Sequence, residues 1–251
     1  MDIRHRKVVI VGATSAMAEH CARHWVMVAE EMVLIGRERS RLDVIAADLA
    51  VRNAQTKISV MTLADFTDPQ QITQIVDAVM QDQRDTLVLI AHGWMPEQQE
   101  CQRNLRTCAD ALQITGVSPA LFAEAFAGHM QQINAGTLAV IGSVAGDRGR
   151  RSNYVYGAAK GLLTRYVQGL QHRFAASGVT VILIKPGPTE TPMTLNAETS
   201  KLKLAGVEDV AQQIVSGVAG KKAVIYAPSK WMLIMWVIRH MPQFIFNRMD
   251  I

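Results

Sequence analysis

The stretch Ser143-Val-Ala-Gly-Asp-Arg-Gly-Arg-Arg-Ser-Asn-Tyr-Val-Tyr156-Gly-Ala-Ala-Lys160 decides the fold. An apolar run, Thr137-Leu-Ala-Val-Ile-Gly, precedes it and reads as a buried parallel strand. A long helical pattern starting near Ser152 follows it. Ser143 therefore stands just past a strand's carboxyl end, where open α/β sheets bind ligands. Tyr156 and Lys160 are four apart, so a helix puts them on one face. A free tyrosine has a pKa of about 10, too high for easy proton exchange at neutral pH. A nearby ammonium stabilises the phenolate, and a facing hydroxyl can hold a carbonyl or alcohol oxygen. Tyr-x-x-x-Lys alone also describes an ordinary exposed helix pair. Ser143, thirteen residues before Tyr156, makes the set a general acid/base site beside a hydride carrier.

Upstream, Lys7–Val11, Met32–Ile35, Ile58–Met61 and Leu87–Ile90 read as strands, and downstream so do Val179–Ile184 and the edge strand 223–226. Helical patterns separate them: 40–53, one starting near Pro69, 100–116, Pro119–Met130 and Val207–Ala219. The expected fold is α/β and doubly wound, with about seven mostly parallel strands and helices on both faces. Residues 1–228 form one domain in this reading, with a substrate loop at about 188–206, and 229–251 form an apolar tail.

The strand and turn Lys7–Ala18 lead into a helix whose first amides can face a pyrophosphate. The turn is Gly12-Ala-Thr14-Ser15-Ala16-Met17-Ala18, and Thr14 or Ser15 can cap the helix. With the serine, Tyr156 and Lys160 behind this turn, the chain is identified as similar to the short-chain dehydrogenases/reductases over about residues 5–228. That family usually has Gly-x-x-x-Gly-x-Gly here, and this chain keeps Gly12 but carries Ala16 and Ala18. The fold it implies is the Rossmann fold.

The resemblance assigns the rest of the site. Arg37 follows Gly36 where NAD-binding members generally carry an acidic residue, so NADP(H) is expected over NAD(H). Asp65-Phe66 resembles the pair beside adenine, although Asp65 can equally cap the helix near Pro69. Ala91-His92-Gly93 replaces Asn-Asn-Ala-Gly, with His92 read as a packing or turn residue. Gln113 stands where many members place an asparagine that holds a water next to the lysine. Pro186-Gly187-Pro-Thr189-Glu-Thr191 matches the loop that clamps the nicotinamide carboxamide, with Ile184 against the ring.

The implied reaction is reduction of a ketone to a secondary alcohol. The Gly-Ala-Thr-Ser-Ala-x-Ala turn, the Gly-Asp-Arg-Gly-Arg segment and the apolar tail are similar to the subset containing decaprenylphosphoryl-ribose 2-keto reductases. This suggests a lipid-linked, polyprenyl-phosphate keto-sugar. A fatty-acyl or polyketide ketone is the alternative, and a non-catalytic NADP-binding sensor or scaffold is the reading of another class. Arg148, Arg150 and Arg151 can meet a phosphate or a carrier protein, or form a solvated loop. The family implies a homodimer or homotetramer.

Composition narrows the classes. The chain has 251 residues, 49% hydrophobic and 19% charged, which suits one globular domain. A net charge of +4 is too diffuse to argue for nucleic acid. Cys21, Cys101 and Cys108 have no metal spacing, and the histidines form no HExxH, so no metal site is expected. Reduced thiols and no signal-peptide pattern predict a cytoplasmic protein. The tail run Trp231–Ile238 is too short to span a bilayer and is broken afterwards by Arg239, His240 and Pro242. It suits the inner face of a membrane, with Trp231 and Trp236 at headgroup level, or a subunit interface.

Overall fold

The computed structural model describes residues 7–195 and 204–249. Seven strands form one sheet: β1 (Lys7–Val11), β2 (Glu31–Gly36), β3 (Lys57–Thr62), β4 (Thr86–Ile90), β5 (Gly136–Ile141), β6 (Val179–Pro186) and β7 (Val224–Ala227). Their order is β3-β2-β1-β4-β5-β6-β7, and all pairings are parallel. The order reverses between β1 and β4, which opens a crevice at the carboxyl ends of those strands.

Both faces of the sheet are covered, so the central strands are apolar throughout rather than alternating. On one face α1 (Ala16–Trp25), α2 (Arg39–Arg52) and α9 (Val207–Ala219) bury Trp25, Leu42 and Ile214 against Val8 and Ile10. On the other, α3 (Pro69–Met80), α6 (Ser118–Ile133) and α7 (Tyr154–Arg173) bury Ile72, Phe126 and Leu163 against Val9 and Val11. The two-residue period of β1 divides its side chains between the two cores.

Three elements differ from expectation. The helix read over 100–116 is two short ones, α4 (Gln98–Arg103) and α5 (Leu105–Leu112), separated at Asn104. Asn104 Oδ1 caps α5 by accepting from the amides of Arg106 and Thr107. A π turn, Gln113–Val117, then joins α5 to α6. The cap of α3 is Asp68, which accepts from Gln70 N, and not Asp65. The tail forms α10 (Lys230–His240) and α11 (Gln243–Phe246). Of the expected substrate loop, α8 (Pro192–Leu195) is described and residues 196–203 lie outside the described residues. A bridge between Thr189 and Ala205 brings the two ends of that loop together.

Candidate active site

Ser143 follows β5 and heads a tight turn, Val144–Asp147, whose first amide (Ala145 N) donates to Ser143 Oγ at 3.1 Å. The turn lies directly on α7. A Cβ on Gly146 would sit 2.6 Å from the Lys160 carbonyl, so only glycine allows this approach. The contact brings the Ser143 hydroxyl to the Tyr156 phenol, close enough to lower its pKa. Lys160 is buried on the same helix face. Its Nζ donates to Ile141 O at 2.8 Å and stands 5.8 Å from the centre of the Tyr156 ring.

Burial decides the charges. It pushes the Tyr156 phenol up to about 12, against the lowering effect of the nearby Ser143 hydroxyl. Burial also pulls Lys160 down to about 7. Burial therefore outweighs the lowering expected from the ammonium, and Lys160 donates to the β5 carbonyl instead. A phenol held protonated at neutral pH is a proton donor, as reduction of a carbonyl requires.

Gln113 opens the π turn, and its carbonyl accepts from Ser118 N. Its side chain is half-buried, and Lys160 bonds to Ile141 rather than to it. The residue that sequence reasoning passed over is Thr115. Its Oγ1 accepts from Trp94 N at 2.8 Å and donates to Trp94 O at 2.6 Å. A Cβ on Gly93 would lie 3.5 Å from both Lys160 Nζ and Thr115 Cγ2. Thr115 thus fixes the loop after β4 beside the lysine. Its place two residues after Gln113 was the available signal.

The residues at the β1–β4 crevice fit a dinucleotide. Gly12 has φ +79°, and a Cβ there would sit 2.7 Å from His92 Cβ. The amides of Gly12 and Ala13 bond to Ile35 O, which sets the turn. Ser15 occupies the N-cap of α1 without a side-chain cap bond, and Thr14 lies before it in the turn. The first-turn amides, including those of Ala16 and Met17, therefore remain for a phosphate. Beyond β2, Arg39 pairs with Asp43 and Arg41 lies 3.8 Å from Glu38. Arg37 is exposed and has no ion-pair partner among the described residues. Asp65 is exposed, and Thr67 donates to it from both amide and hydroxyl, which holds its carboxyl below the usual range.

Phe66 and His92 belong to the packing behind the crevice. Their rings meet at 5.0 Å and both touch Phe122. His92 Nε2 lies 2.8 Å from Ser118 Oγ, and burial pulls its pKa to about 3, so it is neutral. Ala91 N bonds to Val11 O, holding the strand ends level.

On the opposite lip, Pro186 ends β6 and Gly187 N donates to Ala227 O at 2.9 Å. Thr189 Oγ1 donates to Gly187 O, and Thr191 is linked to Thr194. Ile184, expected against a ring, is wholly buried in the core of the α1–α9 face and offers it no surface.

Two cross-links bind this lip to the Ser143 turn and the tail. Lys185 and Asp147 form a buried ion pair, and Tyr226 Oη donates to Asp147 Oδ2 at 2.9 Å. Arg148 Nη1 donates to the carbonyls of Ile238 and Met241, and its guanidinium lies 3.9 Å from the Phe246 ring centre. Arg148 is thus a C-terminal cap for α10, with Nη1 committed to the tail. Trp231 covers Gly187 so closely that any side chain there would strike its indole.

The profile described as short chain dehydrogenase matches residues 6–202. The chain belongs to the short-chain dehydrogenase/reductase family. As an enzyme of this family it is an oxidoreductase that interconverts an alcohol and a carbonyl with NAD(P). It is 27% identical over 248 residues, 97% of this chain and 96% of the relative, to an uncharacterized oxidoreductase of Streptomyces coelicolor. Among solved structures, a short chain dehydrogenase from Burkholderia cenocepacia in complex with NADP has a TM-score of 0.82 at 16% identity, covering 99% of this chain and 98% of that one. An actinorhodin polyketide ketoreductase variant with NADPH has a TM-score of 0.77 at 17% identity, covering 88% and 95%. These likenesses support the fold of this dehydrogenase. Among its described residues no group of three His, Cys, Asp or Glu side chains is placed to hold a metal. Nor is any described helix long and apolar enough to cross a membrane.

Proposed function

We propose that this chain reduces a ketone to a secondary alcohol with NADPH. The observation that carries this is the Ser143 hydroxyl brought to the Tyr156 phenol, one turn from buried Lys160. When bound, the nicotinamide supplies the hydride. Ser143 holds the carbonyl oxygen and Tyr156 gives it the proton. Lys160 holds the nicotinamide ribose and restores the phenol's proton, with Gln113 in the relay. The first-turn amides of α1, Gly93 and the Gly187 loop hold the rest of the cofactor, and unpaired Arg37 favours the 2′-phosphate.

The substrate class is a lipid-linked ketone, such as a polyprenyl-phosphate keto-sugar. Its support is the tail, which is anchored beside the Gly187 loop yet turns Leu233 (66% exposed), Trp236 (60%) and Phe244 (66%) outward. Residues 229–249 contain no acidic residue, and Lys230, Arg239 and Arg248 flank the apolar surface. That pattern suits peripheral contact with an anionic membrane face, where cations attract headgroups and tryptophan sits at their level. Likeness to the polyketide ketoreductase favours a second reading, a fatty-acyl or polyketide ketone. Family membership supports a homodimer or homotetramer.

Tyr156→Phe tests the reaction. Ketone-dependent NADPH oxidation should fall by about 10²- to 10⁴-fold, the usual contribution of a positioned acid. NADPH binding, followed by fluorescence titration, should persist. Turnover that survives the substitution would show that Tyr156 is not the proton donor.

A further inference from the structure

Three buried polar atoms around the start of α7 have no hydrogen-bond partner in the protein: Gln98 Nε2, Arg150 Nε and Asn153 Oδ1. They belong to one neighbourhood. Gln98 Oε1 accepts from Val155 N at 3.0 Å, which pins the start of α4 to the first turn of α7. Asn153 N donates to Arg150 O at 3.2 Å, and Gly157 N donates to Asn153 O at 2.8 Å. The turn 150–153 therefore runs straight into the helical turn that carries Tyr156.

Arg150 is the unusual member. Two residues earlier, Arg148 spends Nη1 on two carbonyls of the tail. Arg150 is half-buried in the same loop with no carboxylate pairing it among the described residues, and burial pulls its pKa below the ordinary arginine value. A guanidinium taken from water without an anion is costly, and a buried amide donor left unmade adds to the cost. Both costs are offset when an oxyanion arrives, because a guanidinium and an amide N–H are its natural donors. Asn153 Oδ1 is an acceptor and suits a hydroxyl beside that anion.

We propose that Arg150 and Gln98 form a subsite for an oxyanion, phosphate or carboxylate, carried by the ketone substrate, with Asn153 accepting from a neighbouring hydroxyl. The subsite deepens the reductase reading and rests on it for the word substrate. Its residues lie in or against the segment that runs into Tyr156.

The test compares dihydroxyacetone phosphate with dihydroxyacetone, and acetoacetate with its ethyl ester, in NADPH oxidation by the full chain. Wild type should favour the charged member of at least one pair by tenfold or more in kcat/KM, and the pair favoured distinguishes phosphate from carboxylate. Arg150→Met should lose at least about tenfold more on that charged ketone than on its neutral partner, the range of a charge-assisted hydrogen bond. Arg150→Lys should recover part of it. A second readout needs no turnover: inorganic phosphate or acetate should raise the Tm of the NADPH-bound protein and of Tyr156→Phe, and not of Arg150→Met. Equal losses on charged and neutral ketones, or no anion effect on Tm, would overturn the subsite. Anion stabilisation without reduction of any ketone would instead leave the subsite standing and sink the reductase reading.

Discussion

The nucleotide end of the sheet and its substrate end are built to different degrees of completeness. At the nucleotide end the turns close on themselves: Gly12 and Ala13 bond to Ile35 O, Thr67 binds Asp65, and Arg39 and Arg41 face carboxylates. What stays open there is His92 Nδ1, Trp25 Nε1, exposed Arg37 and the first-turn amides of α1. At the substrate end Gln98 Nε2, Arg150 Nε and Asn153 Oδ1 are buried without partners, and the tail turns a row of large apolar side chains to solvent. A cofactor shared by many enzymes can be met by backbone amides and an exposed arginine on closed turns. Groups left unsatisfied mark the places where a particular substrate or surface is to complete the structure.

The largest effect that would sharpen this contrast is at the tail. If α10 meets lipid, the protein should sediment with phosphatidylglycerol vesicles, and Leu233→Ser with Trp236→Ser should weaken partitioning by about 100-fold or more. That follows from roughly 1.5–3 kcal/mol for each side chain withdrawn from apolar surroundings. Unchanged sedimentation would break the contrast. Dissociation of an oligomer by the same pair would assign the surface to a second copy of the chain.

A smaller effect tests how closed the nucleotide end is. His92 has a folded pKa of about 3 against about 6.5 when unfolded, so between those values the unfolded chain binds more protons. Stability should therefore fall as pH drops below 6.5, by at most about 2 kcal/mol at pH 5. His92→Gln, which keeps a nitrogen for Ser118, should remove that part of the slope in urea unfolding at pH 5 and 7.5. An identical slope in both proteins would mean that His92 is reached by water.

The smallest concerns the one exposed arginine of the β2–α2 turn without a carboxylate partner. Arg37→Ala should weaken NADPH binding about tenfold, the 1.4 kcal/mol scale of one surface charge contact, and leave NADH unchanged. Parallel weakening of both cofactors would remove the case for a 2′-phosphate contact.

The strands were legible because buried parallel strands are short apolar runs bounded by turns, as at Leu87–Ile90. Val207–Ala219 was legible to the residue from its 3.6-residue period. Ser143, Tyr156 and Lys160 were legible as a set because spacing and strand position agree. The role of Arg148 was not, since its partners, the carbonyls of Ile238 and Met241, lie some ninety residues away in sequence and carry no side-chain signature. Asp65 and Asp68 are both plausible caps, and only the backbone path selects Asp68. The π turn left no periodic trace either, because the close approach of Gly116 to Ala159 is a contact between distant segments.

That wide turn has a consequence for how the chain tolerates change in length. One residue more or less in a helix swings everything beyond it by about 100°. Ahead of the turn, α5 answers to α7; beyond it, α6 must aim Phe122 and Phe126 at the sheet and Ser118 at the Phe66 carbonyl. Gln113–Val117 works as a phase adjuster between these two clients. A one-residue deletion within it would leave both helices intact and put one of them out of step, so its length is constrained more tightly than its composition.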